Sequence, residues 1–419
     1  MRHRSWVSVL LLLTATACSS GGAAQDGKTE LTIATFNEFG YEELLKEYEA
    51  AHSDVKITQR KTGQGEPHHK NLFTKLGAGS GLADIEAVEE GFLSQVLSKA
   101  GQFNDLKEIG PQVEEGRWLK WKYDSATKDG KLIGYGTDIG PLAMCYRKDL
   151  LEKAGLPSSP DAVKSLFATW DSYFAAGDQF IAKSGGVAWF DSAAQVFNAM
   201  HNQHEVGYFD KSDKLVVETN PAIKADWTAV TGAVAKGQSA KLAAWSNEWN
   251  TGFKNGAFAT KTCPSWMLGV IEKQAGPENA GKWAVTEAFP NGGGNWGGSF
   301  LTVPKQSKNA KKAAELAAWL TAPEQQIKAF KSKGTFPSQV KALTDPALLD
   351  SSNAYFGDIK AGALFAAQAQ KVTAAQYKGP TDGQLQDTVF SAALLSVEQG
   401  KGADDAWKTA LSEAQKVAK

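Results

Sequence analysis

Cysteine, histidine, net charge and long apolar runs are all in short supply in this sequence. Its 419 residues include three cysteines and six histidines. The segment His201-Asn202-Gln203-His204-Glu205 lacks the spacing of a zinc-protease helix, and His68 with His69 reads as a solvated loop, so neither a metal nor another cofactor is expected. No Gly-x-Ser-x-Gly turn occurs, and no local signature brings a nucleophile to a base. Basic and acidic residues nearly cancel, 45 against 46, which gives nucleic acid no electrostatic foothold. After the leader, nothing approaches the roughly eighteen consecutive apolar residues of a membrane-spanning helix. No internal repeat is visible.

What is present begins with the leader. Arg2, His3 and Arg4 precede an apolar run from Trp6 to Leu13 that is too short to span a bilayer, so residues 1–17 read as a signal peptide. Ala15-Thr16-Ala17-Cys18 serves two readings, a small-x-small cleavage site and a lipobox. Either leaves Cys18 first; the lipobox reading lipidates it and holds the protein on the extracellular face of the cell membrane, the other yields a soluble secreted chain. Residues 18–28 are rich in Ser, Gly and Ala and read as a flexible tether. The formal P-loop match from Gly22 to Thr29 lies in this tether with a strand after it, the reverse of the context that phosphate binding needs.

The body of the chain exceeds what one hydrophobic core usually serves, so two domains are expected. Leu31–Phe36, Val55–Gln59 and Asp84–Val88 read as strands, with helices at Tyr41–Ala51 and His69–Leu76 between them. This β-α-β-α-β order predicts an α/β fold with a parallel, doubly wound sheet. A long helical region is expected up to about residue 240, then strands near 257–260 and 299–303, and helices at 311–320 and 323–331.

In such sheets ligands sit beyond the carboxyl ends of the strands. The residues there are polar: Asn37 and Glu38, then Thr62, Gln64 and Glu66, then Glu89 and Glu90. An ionised carboxylate accepts strong hydrogen bonds from vicinal hydroxyls; Glu89, Glu90 and Asp138 also have the makings of a glycosidase acid and base. Trp266, and Trp296 among glycines, offer flat apolar faces for stacking. Trp118, Trp121, Trp170, Trp227, Trp319 and Trp407 read as core, whereas Trp189, Trp245, Trp249 and Trp283 fit either role. Cys145 and Cys263, an even number in an oxidising compartment, are either one disulfide or two buried thiols.

Several segments together resemble the extracellular solute-binding proteins of ABC sugar importers, the group that includes maltose-binding protein. They are Gly79-Ser80-Gly81-Leu82-Ala83-Asp84-Ile85, the run from Tyr146 to Pro157, Trp296-Gly297-Gly298, Gly334-Thr335-Phe336-Pro337-Ser338 and Val397-Glu398-Gln399-Gly400-Lys401. The runs Ile133–Pro141 and Cys263–Met267 look like actinobacterial receptors for cellobiose and short cello-oligosaccharides. The resemblance implies a periplasmic-binding-protein-like fold, two doubly wound lobes joined by a hinge with the ligand cleft between them. It places residues 29–140 and 302–342 in the N-terminal lobe, and 143–299 and 346–419 in the C-terminal lobe. It also implies Trp266 and Trp296 as platforms, Glu90, Asp138 and Asp191 as hydroxyl acceptors, and a disulfide from Cys145 to Cys263. The function implied is that of a monomeric, non-enzymatic receptor delivering an oligosaccharide to ABC permease subunits. The rivals are a receptor of the same fold for another solute, and a secreted glycoside hydrolase using Glu90 and Asp138.

Overall fold

The computed structural model describes residues 27–113, 115–372 and 376–419. The signal peptide, Cys18 with its expected lipid, and nearly all of the tether lie outside the described residues.

Strands β1 (Thr29–Phe36), β2 (Val55–Thr62) and β3 (Ile85–Glu89) pair in parallel, with Thr29 opposite Val55 and Ile33 opposite Ile85. Helix Glu42–Ala51 turns Leu44, Leu45 and Tyr48 inward at the expected helical spacing. The next helix corrects the sequence reading. It spans Gly65–Ala78 and buries His68 and His69, which therefore do not lie in a solvated loop. It stops at Gly79, whose φ of +70° suits glycine.

Beyond a small hairpin of β4 (Thr127–Lys128) and β5 (Lys131–Leu132) come β6 (Gly134–Gly136), β7 (Asp138–Ile139) and β8 (Leu142–Arg147). They are followed by β9 (Ala188–Phe190), β10 (Phe258–Pro264), β11 (Trp283–Thr286), β12 (Ser299–Thr302) and β13 (Phe336–Pro337). One sheet has the order β2-β1-β3-β12-β6, with β12 antiparallel to both neighbours; a second has the order β11-β8-β10-β9. These sheets centre two α/β lobes, called here first and second. The pairing of β7 with β13 lies where the chain passes between the sheets.

Sequence periodicity missed β9 and β11. Both are short and fully buried, so neither alternates between polar and apolar residues. Cys145 on β8 and Cys263 on β10 form a disulfide with a Cα–Cα distance of 5.5 Å. Trp189, Trp249 and Trp283 are core residues, joining Trp118, Trp170, Trp227 and Trp407.

Candidate functional site

A cavity of about 500 Å³ opens between the lobes. The first lobe contributes the residues that follow its parallel strands: Phe36, Asn37 and Glu38 after β1, Gln64 and Glu66 after β2, and Glu89 at the end of β3. This is the placement that strand polarity dictates. Asp138 and Ser299 line the floor, where the chain passes from one sheet to the other. The second lobe contributes Gln195, Asn198, Trp245, Trp266, Trp296, Asp387 and Thr388 among others.

The rings are not equivalent. Trp266 is partly buried, and its Nε1–H donates to the Trp296 carbonyl at 3.0 Å. The Trp266 ring meets that of Trp296 edge-to-face at 5.9 Å and lies nearly parallel to that of Trp245 at 6.1 Å. Trp296, expected to be left open by its glycines, is only 5% exposed and belongs to the second-lobe core. Its glycine neighbours serve close backbone approach instead: a Cβ on Gly298, which has a φ of +108°, would stand 2.5 Å from the Asp138 carbonyl oxygen.

The carboxylates divide into wall and support. Glu89 faces the cavity, and no donor bonds its side chain among the described residues. Burial, then the charges of Asp387 and Glu90, push its carboxyl up to about 8. Burial likewise raises Asp387 to about 6. Asp138 Oδ1 accepts from Thr137 Oγ1 at 2.5 Å and from the Ser299 amide at 2.9 Å. Burial raises its pKa while Lys122 opposes the shift. Glu38 sits at the rim, paired with Lys61 of the first lobe at 2.5 Å and with Lys273 of the second at 2.7 Å. Asn198 lines the cavity, and its buried Oδ1 has no hydrogen-bond partner among the described residues.

Glu90 and Asp191, both expected on the wall, stand behind it. Glu90 is buried and accepts from Asn295 Nδ2 at 2.9 Å, while Asn295 Oδ1 accepts from the Gly140 amide at 2.8 Å. A glycosidase pair of Glu90 and Asp138 must flank one bond with both groups, and Glu90 does not reach the cavity. Asp191 is fully buried against Lys261 at 3.2 Å and takes the Trp249 Nε1–H at 2.6 Å. The histidines also support the wall. His69 Nε2 accepts from the Glu89 amide at 3.0 Å while Nδ1 donates to the Gly65 carbonyl at 2.7 Å, and burial lowers its pKa to about 3, which keeps it neutral.

Sequence reasoning left Trp245 undecided and missed Asn198, Gln195 and Asp387. Asp387 lies on a π-helical turn, Leu385–Phe390, that re-aims side chains within a helical stretch. No local residue pattern announces such a turn.

Two α/β lobes facing each other across an aromatic, acceptor-rich cavity define a two-lobed binding protein. The chain belongs to the bacterial extracellular solute-binding proteins, whose family model matches residues 43–357. An arabinooligosaccharide-binding protein of Bacillus subtilis is 31% identical over 345 residues, covering 76% of this chain and 75% of that one. Among solved structures, an extracellular solute-binding protein of family 1 is 50% identical with a TM-score of 0.81, covering 93% of this chain and 100% of that one. A binding protein from B. animalis subsp. lactis, solved with β-1,6-galactobiose, shares the fold at 20% identity and a TM-score of 0.80, covering 93% and 98% of the two chains. The fold is thus periplasmic-binding-protein-like. Among the described residues no helix is long and apolar enough to cross a membrane.

Proposed function

We propose that this protein captures a neutral oligosaccharide between its lobes and presents it to the permease subunits of an ABC importer. The observation that carries the reading is the cavity wall. Glu38, Glu66, Glu89, Asp138 and Asp387 line it beside the Trp245 and Trp266 rings, and no lysine, arginine or histidine is among the described lining residues. Acceptors of this kind suit hydroxyl donors, while indole faces suit the C–H faces of sugar rings. Sugar-binding relatives add support.

The ligand is a short oligosaccharide, with cello-oligosaccharides favoured by the motif resemblance and arabino-oligosaccharides by the 31%-identical relative. In our reading the protein is a monomer, anchored to the outer face of the membrane by lipid on Cys18, and it performs no chemistry on its ligand. The moving bodies are residues 29–140 with 302–342 and residues 143–299 with 346–419. Sheet membership supports this division, except that β12 joins the first body from Ser299 onward.

Closure follows from differential affinity: a ligand that touches both walls binds the closed form better and shifts the population toward it. Calorimetric titration of the mature chain with cello-, arabino-, malto- and xylo-oligosaccharides tests the reading. Saturable binding near the micromolar range with the sugar recovered intact is expected. Binding to none of them, or release of monosaccharide, would overturn it.

A further inference from the structure

Trp245 occupies an unusual position in the cavity wall. Its ring lies 4.9 Å from that of Trp249 and 6.1 Å from that of Trp266. Trp249 is fully buried and tied to Asp191, so the ring behind Trp245 is fixed. The Trp245 backbone has a φ of +69°, a left-handed conformation that is unfavourable for a residue with a Cβ. Such a conformation persists only where the surroundings hold it. One end of the loop is anchored by the Ala240 amide on the Phe190 carbonyl at 2.8 Å. At the other end Ser246 caps helix Asn247–Asn255, its Oγ accepting from the Trp249 amide at 3.1 Å.

The effect of the turn is seen on the opposite lobe. The Trp245 carbonyl accepts from Gln64 Nε2 at 3.0 Å. Gln64 stands at the N-terminus of helix Gly65–Ala78, and its side chain makes no capping bond there but reaches across the cleft instead. The other bridge at the rim, Glu38 to Lys273, is an ion pair of the kind that salt screens. The Gln64 bridge joins the second lobe at a residue whose ring is part of the ligand cavity.

We propose that Trp245 couples ligand stacking to lobe closure: a saccharide resting on its indole holds the left-handed turn, and the turn presents the carbonyl that Gln64 grips from the opposite lobe. The inference rests on reading the cavity as a saccharide site. A bond made only in the closed form counts wholly toward that form. It therefore slows ligand release and leaves encounter almost unchanged.

The experiment is stopped-flow fluorescence on the full mature chain, with cellotriose and arabinotriose as probes. The variants are Gln64→Ala, Trp245→Ala, Trp245→Phe and the two doubles Gln64→Ala/Trp245→Ala and Gln64→Ala/Trp245→Phe. Gln64 is exposed and Trp245 only partly buried, so the fold is retained, and alanine removes the ring while its Cβ still disfavours the positive φ. Gln64→Ala is expected to raise the dissociation rate about fivefold, the scale of one neutral hydrogen bond, with association within about twofold. The same change is expected to do almost nothing in the Trp245→Ala background and to recover its effect with Trp245→Phe, which restores a ring. Equal effects of Gln64→Ala in the wild-type and Trp245→Ala backgrounds, or no effect in the wild type, would overturn the coupling alone. Failure of the wild type to bind either sugar would overturn the saccharide reading together with it.

Discussion

Lys261 and Asp191 form an ion pair at 3.2 Å in which neither side chain is exposed to solvent. Gln195 Oε1 also accepts from the Lys261 ammonium at 2.8 Å, and Gln195 itself lines the cavity. Asp191 thus anchors the aromatic stack from behind, neutralising a buried cation and fixing Trp249. Removing one partner of a buried pair leaves the other charge uncompensated, at a cost of about 3–5 kcal/mol. Asp191→Ala is expected to lose stability on that scale in urea denaturation; an unchanged midpoint would show that the pair is not structural.

The two tryptophans predicted as platforms should separate experimentally. Trp296 is a core residue, and Trp296→Ala is expected to destabilise the fold by about 3–5 kcal/mol. Trp266→Ala should leave the unfolding midpoint nearly unchanged and weaken sugar binding at least about tenfold, or ~1.4 kcal/mol. Parallel denaturation and calorimetry decide between them. A stable Trp296→Ala variant with lost binding would return Trp296 to the role of open platform.

The Cys145–Cys263 bond links residues 118 apart in sequence. Closing so long a loop restricts the unfolded chain, and disulfides typically contribute about 2–4 kcal/mol. The Cys145→Ser/Cys263→Ser variant should unfold at correspondingly lower urea. Two free thiols detected by mass spectrometry in exported protein would contradict the bond.

Binding should also depend on pH through Glu89. In the structure its carboxyl is pushed up to about 8 by burial and by Asp387 and Glu90, with Lys378 opposing and Asp138 adding to the shift. In an opened, hydrated cleft it returns toward the ordinary value of 4.5. Closure therefore takes up a proton between about 4.5 and 8. Affinity is expected to be greatest at the acid end of that window and to fall as pH rises through it, by no more than about one decade per unit. Glu89→Gln, which keeps the amide uncharged, should flatten the upper part of the profile and leave the lower part to Asp387. A wild-type affinity rising from pH 5 to 8 would refute the linkage.

Much of the first wall was legible because β1, β2 and β3 alternate with helices, and strand polarity then places Asn37, Glu38, Gln64, Glu66 and Glu89 on one edge. Adjacent residues at a strand-to-helix junction are harder. Glu89 ends β3 and Glu90 begins the next helix, so the chain turns between them and only Glu89 reaches the cavity. Asp191 was misread for a related reason: a charged residue in the sequence carries no sign of the buried lysine that neutralises it. His68 and His69 looked like loop residues because Gly65 and Pro67 obscure the first turn of their helix. Asp387 and Trp245 depend on a π turn and on a left-handed backbone, neither of which leaves a residue pattern of its own.

The most direct test is paired calorimetry on one oligosaccharide in two forms, the neutral sugar and its counterpart of equal length with a hydroxymethyl oxidised to a carboxylate. Asp387, whose carboxyl at about 6 is ionised at pH 7, and the absence of a lining base among the described residues predict micromolar binding of the neutral form and at least about tenfold weaker binding of the acid at pH 7. Equal or tighter binding of the acidic sugar would contradict neutral-oligosaccharide capture.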